Sequence, residues 1–165
     1  MASEIKVDTI VNAGGDNDTG IDLATNDQIL LKVANATRLT MNSTGQTTIV
    51  GEGGTTTTNL QQGLIKFFTN IDGDASSIST RDSFNQSSTT DSGTGDQVYV
   101  FTNNMANNDY SHTTAANSAS GHLSMIYSES EMNTSQTRTY VIEVYTDNTP
   151  TDSDVVVSTI AGDLA

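Results

Sequence analysis

The apolar positions of the first fifty residues come in short groups that repeat with a period of two. Ile5 and Val7 alternate, and after a one-residue slip Ile10 and Val11 continue. Ile21 pairs with Leu23, then Ile29, Leu31 and Val33 alternate cleanly, Leu39 pairs with Met41, and Thr47-Thr-Ile-Val50 ends the run. A period of two places each set on one face of a β-strand. Turn-forming clusters separate them, as in Asn12–Gly20, Ala24–Asp27 and Asn42–Gly45. Strands of three to five residues, with turns every eight to ten, predict a prism-like or solenoid-like stack or a meander. No i, i+3, i+4 stripe persists, and Thr and Asn are poor helix formers, so no helix is expected here.

Gly51-Glu-Gly-Gly-Thr-Thr-Thr-Thr58 has no apolar residue and reads as a linker. The chain is accordingly divided into an N-terminal β region over 1–50, a linker over 51–59 and a second domain over 60–165. Leu64-Ile-Lys-Phe-Phe68 is the most apolar patch and predicts a central strand. Further strands are expected at Ile78–Asp82, Gln97–Phe101, Leu123–Tyr127, Thr137–Tyr145 and Val155–Ile160, with Ser87–Gly95 and Asp147–Asp154 as turns or loops. In Gln97–Phe101 both alternating sets are apolar, Val98 and Val100 on one side, Tyr99 and Phe101 on the other. Such a strand is expected to be covered on both faces. Six or so strands between Gly/Asn/Asp turns predict a β-sandwich, jelly-roll-like in outline, and the fold class is all-β.

Composition makes the first region the harder of the two to stabilise. Leu, Ile, Val and Phe number 34 of 165 residues, against 60 for Thr, Ser and Asn, so the few apolar groups must be concentrated if the chain is to fold. Each N-terminal strand offers only two or three of them, too few for a stable monomeric patch. Closing that face against identical copies around an axis resolves the deficit, and the oligomer seam is assigned to Ile29, Leu31, Val33, Leu39 and Met41. A net charge of −14 argues against a nucleic-acid backbone or an anionic lipid surface as partner. Cysteine is absent, which removes disulfide and thiol chemistry. The opening residues show no basic segment followed by an apolar one, and no apolar run reaches membrane-spanning length, so neither a secretory leader nor membrane insertion is expected.

Candidate chemistry is sparse. Asp16-Asn-Asp-Thr-Gly20 places oxygen donors at alternate positions but lacks the glutamate that completes a calcium loop, and reads as an Asx turn. His112 and His122 have no third nitrogen or thiolate ligand, so they are given ordinary surface or turn roles, and no metal or cofactor is assigned. Glu129 and Glu131 fall on one face if their strand continues and are the nearest thing to a glycosidase pair. Nearly any acidic chain offers such a pair, and no catalytic residue is assigned. Tyr110, Tyr127 and Tyr145 are candidates for surface binding, weighed against the commoner role of strand tyrosines at the edge of a core. Arg81, one of three arginines, is expected to be buried at a core or subunit contact.

Two stretches carry a resemblance. Asn35-Ala-Thr-Arg-Leu-Thr-Met-Asn-Ser-Thr-Gly-Gln-Thr-Thr-Ile-Val-Gly51 is similar to a segment common in bacteriophage fibre and tailspike-associated proteins, with Arg38, Leu39, Met41 and Ser43-Thr-Gly45 on its pattern. It departs at Thr40, where a second arginine is usual. Residues 67–105 resemble the C-terminal domain of marine-phage fibre proteins through Asp72-Gly73, Ser79–Ser88, Thr90–Asp96, Val98, Val100, Phe101 and Met105, with Gln86 and Thr89 in place of apolar residues. The opening Ser3–Asp8 also resembles the start of such fibres.

The resemblance implies a homotrimeric, non-enzymatic virion fibre or decoration protein, assembled in the host cytoplasm and exposed on the particle exterior. Its N-terminal region would attach to capsid, portal or tail proteins, with Ile5, Val7 and Ile10 as the attachment strand. Its distal β domain would be available to a host-surface glycan or protein. The competing readings are a carbohydrate-binding module or surface adhesin without catalytic activity, and a small glycan hydrolase.

Overall fold

The computed structural model describes residues 6–12, 14, 18–51, 54–74, 77–117, 121–145 and 147–165. The chain is all-β and divides into two compact units, Met1–Gly63 and Leu64–Ala165.

The first unit is one antiparallel sheet whose strands lie in chain order: β1 (Thr9–Val11), β2 (Gly20–Asp22), β3 (Ile29–Val33), β4 (Ala36–Met41), β5 (Thr47–Val50) and β6 (Thr57–Asn59). Local chemistry sets the turns. Ala34 and Asn35, at φ 53° and 56°, join β3 to β4 by the two-residue, left-handed type of turn that matches strand twist. In the β4–β5 turn the Asn42 side-chain oxygen accepts the backbone N–H groups of Thr44 and Gln46 at 3.1 and 2.9 Å. The residues expected to be a linker belong partly to this sheet. Thr57–Asn59 pair with Thr48–Val50, and a single helical turn, Leu60–Gly63, follows, its first N–H groups accepted by Asn59. Threonine is polar yet β-branched, so it suits a strand while leaving no hydrophobic period to read. The boundary therefore falls at Gly63/Leu64 instead of within 51–59.

Among its described residues the second unit holds eight strands: β7 (Ile65–Asp72), β8 (Ser79–Phe84), β9 (Gln86–Gly93), β10 (Asp96–Phe101), β11 (Ser111–Ala116), β12 (His122–Ile126), β13 (Gln136–Glu143) and β14 (Val156–Ala161). They form two antiparallel sheets, ordered β11-β14-β7-β8 and β12-β13-β10-β9. Phe67, Ile71, Val156 and Ile160 from one sheet meet Tyr99, Phe101 and Val141 from the other in a single buried core, completed by Met105 and Tyr110. Phe67 stacks edge-on to Phe101 at 5.2 Å and lies 5.9 Å from Tyr99. This is a face-to-face sandwich. Each fully buried aliphatic or aromatic side chain contributes about 1.5–3 kcal/mol. The inner faces also carry Thr69, Gln97, Ser124, Thr137, Thr139 and Ser158. Thr139 donates to Tyr99 Oη or Gln97 Oε1, at 3.1 and 3.3 Å, and burial pushes the Tyr99 phenol up to about 12.

β9 occupies much of the segment expected to be a turn, Ser87–Gly95. It is an exposed edge strand of Ser and Thr, so no apolar alternation announces it. It follows β8 after one residue, Asn85, where the chain leaves one sheet for the other. Asn85 sits at φ 61°, and its side chain bonds the carbonyls of Lys66 and Asn103 and the N–H of Asn103.

Candidate functional site

Cross-strand register gathers the apolar residues of the first unit onto one face. Ile10 stands opposite Ile21, Ile21 opposite Leu31, Leu31 opposite Leu39, and Leu39 opposite Ile49, so one apolar row crosses five strands. Two residues along β3, Ile29 faces Met41, and Val33 continues the same side. The next register step gives a mainly polar row on the other face, Thr9, Asp22, Leu30, Thr40 and Thr48. There Lys32 donates to Asp22 at 2.5 Å, and that bond holds the Asp22 carboxyl below its ordinary range.

The sheet is a single layer, and none of the described residues of this unit is buried. Ile10 is 53% exposed, Val33 50% and Leu31 37%. Along β3 the usual order is inverted: Ile29, Leu31 and Val33 are exposed, whereas Leu30 and Lys32 on the polar face are half-buried. A strand that buries its lysine side more than its leucine side has no cover for its apolar face among the described residues of this unit. Ile29, Leu31, Val33, Leu39 and Met41, read from the sequence as a seam, do share this face. Ile10, Ile21, Leu23 and Ile49 were not assigned to it; pairing Ile21 with Leu31 across a hairpin is the signal that finds them.

The other expected residues are scattered. Ile5 lies outside the described residues. Val7 is exposed, and Ile10 belongs to the sheet's apolar row. Arg81 is exposed at the surface: it donates to the carbonyls of Ile71 and Asp154 and pairs with Asp72 at 2.8 Å, tying β8 to the β7 end and the loop before β14. Tyr110 is not a surface residue. It is core, edge-on to Phe101 at 6.1 Å, with its hydroxyl within reach of the Asn133 and Gln136 carbonyls.

Tyr127 and Tyr145 do face solvent. Tyr127 stacks beneath the Arg138 guanidinium, 4.1 Å from its ring centre, and lies edge-on to Tyr140 at 5.4 Å. Arg138 in turn grips Asp96 through two bonds of 2.6 and 2.5 Å. Tyr145 is 78% exposed and rests on Gly121, where a Cβ would come within 2.4 Å of the ring.

Glu129 and Glu131 lie in a single 3₁₀ turn, not on a continuing strand, and Glu131 faces Arg138 at 3.6 Å. His112 departs from its expected surface role. Its Nδ1 lies 3.2 Å from Thr137 Oγ1 inside the sandwich, Nε2 is buried without a partner, and burial pushes the ring's pKa down to about 4. Asp16 and Asn17 of the Asx-rich turn lie outside the described residues. Among the described residues no group of three or more His, Cys, Asp or Glu is placed to hold a metal, and no helix is long and apolar enough to cross a membrane. Comparison with protein-family models, with curated proteins and with solved structures finds no match.

Proposed function

We propose that this chain is a non-enzymatic structural appendage of a bacteriophage particle, built as a homotrimer. Three copies of the first unit close their apolar sheet faces on a common axis as a β-prism, and the second unit is displayed outward on the particle. One observation carries the oligomer: among the described residues, the six-stranded, single-layer sheet of the first unit has an apolar row from Ile10 to Ile49 in which no side chain is buried. Copies bearing a charge of −14 repel one another, so they associate only through faces free of net charge, and this row carries no ionic side chain. The virion assignment rests on the resemblance of residues 35–51 and 67–105 to phage fibres. Eight strands in two four-stranded sheets support a jelly-roll-like outline in strand count. The engagement of Glu131 with Arg138 supports the non-enzymatic reading.

Sedimentation of the full chain is expected to give three times the single-chain mass, and a single-chain mass overturns the trimer. Removing residues 1–8 leaves all six strands in place. That truncated trimer is expected to be missing from purified particles, and normal occupancy would move the attachment point elsewhere.

A second reading, a carbohydrate-binding module, is favoured by Tyr145 alone, a solvent-facing ring laid on a glycine. Retention of a glycan by the wild type and its loss in Tyr145→Ala would support it.

A further inference from the structure

We propose that the open edge of the first unit's sheet, strand β1, is where a different protein of the particle docks, by laying one of its own extended strands beside Thr9–Val11. This rests on the appendage reading above and specifies its contact. Hydrogen-bond direction defines the edge. The Leu23 N–H donates to the Asp8 carbonyl at 2.6 Å and the Asn12 N–H to the Thr19 carbonyl at 3.1 Å, with Ile10 opposite Ile21 between them. Bonding direction alternates along an antiparallel strand, so Asp8, Ile10 and Asn12 turn their backbone groups to β2 while Thr9 and Val11 turn theirs away. β1 is the outermost strand of the sheet, and among the described residues nothing pairs with it on that side.

The two edges of this sheet differ. β6, at the opposite edge, reads Thr57-Thr-Asn59, hydroxyls and an amide suited to water. β1 is apolar on both faces. Ile10 ends the apolar row and is its most exposed member, at 53% against 36% for Ile21. On the other face Val11 stands opposite Gly20, which has no side chain to cover it, and is exposed as well. Edge strands are commonly guarded by lysine, proline or a bulge. Thr9–Val11 has neither residue, and its register with β2 is unbroken. A strand laid beside it would satisfy the outward backbone groups and cover Ile10 and Val11 at once.

Charge narrows the occupant. A second trimer would bring −14 per chain, and Asp8 next to its own β1, so joining two trimers edge to edge is opposed by repulsion. The partner that fits is a different chain, whose strand carries β-branched apolar residues beside Ile10 and Val11, lacks Asp and Glu, and sets a basic side chain near Asp8.

Hydrogen–deuterium exchange read by mass spectrometry tests this on the wild-type chain, first as isolated trimer and then on purified particles. The Thr9 and Val11 amides are expected to exchange freely in the trimer and about tenfold or more slowly on particles. Free exchange on particles that do carry the chain overturns this contact and leaves the appendage reading standing. Amides already slow in the isolated trimer put another copy or another part of the chain against β1, and also overturn it. Absence of the wild-type chain from particles overturns the appendage reading and this contact together. Val11→Pro removes an outward N–H and spares the bonds to β2. It is expected to stay trimeric yet fall about tenfold or more in particle occupancy, while Val11→Ala, which keeps that N–H, stays near wild type. Normal occupancy of a trimeric Val11→Pro shows that no strand pairs there, and equal loss in both variants assigns the contact to the valine side chain. Either result overturns the proposal.

Discussion

His112 shows at the scale of one side chain how the sandwich makes a polar group conditional. The ring is buried on β11 with one nitrogen near Thr137 and the other unpartnered, so the neutral form is favoured and its pKa falls from 6.5 to about 4. The unfolded chain takes up a proton below about pH 6.5, while the folded chain resists until about pH 4. The stabilisation is therefore complete above pH 6.5 and is lost as pH falls towards 4. The denaturant midpoint of the second unit, followed by aromatic circular dichroism, is expected to fall across that window. His112→Gln should flatten this fall, and an unchanged slope in the variant would place the pH dependence on other groups. Nothing in the sequence around His112 announced its burial. It alternates with Ser and Thr on β11, and only its pairing opposite Ile160 puts it indoors.

Among elements, legibility followed side-chain chemistry. Strands with apolar alternation, such as β3, β10 and β13, were readable because burial selects every second residue. β6 and β9 were not, because Thr and Ser satisfy strand geometry without marking a face. The apolar face of the first unit was partly legible for the same reason: five of its residues announced themselves, and Ile10, Ile21 and Ile49 joined them only through register. The turn from β8 into β9 depends on Asn85, whose left-handed backbone and three side-chain bonds hold the crossing between sheets. Asn85→Gly keeps the backbone freedom but loses the bonds, while Asn85→Ala loses both. We expect destabilisation of about 1–3 kcal/mol for the glycine variant, and about 1 kcal/mol more for alanine. Urea unfolding measures the order, and an alanine variant as stable as the glycine one would mean that residue 85 relaxes out of the left-handed region.

For the whole molecule, association competes with charge. Three chains of −14 brought together repel strongly at low ionic strength, where the screening length is about 30 Å at 0.01 M against about 3 Å at 1 M. Trimer dissociation measured by dilution should therefore become harder as salt rises, and indifference to salt would mean that the acidic surfaces stand far apart in the assembly. The two units also differ in what they need. The sandwich has its own buried core, whereas the N-terminal sheet has none among its described residues, so in the proposed trimer it is the unit that needs its copies. All nine aromatic residues lie in the second unit, so near-ultraviolet dichroism reports that unit alone. The most direct measurement is sedimentation of Leu31→Asp combined with that dichroism. A carboxylate on each copy of the apolar row, buried without a partner, costs several kcal/mol per chain. The account predicts single chains that keep the aromatic signal of the wild type. A Leu31→Asp protein that remains trimeric at micromolar concentration would contradict it, because the N-terminal sheet would then not be where the copies meet.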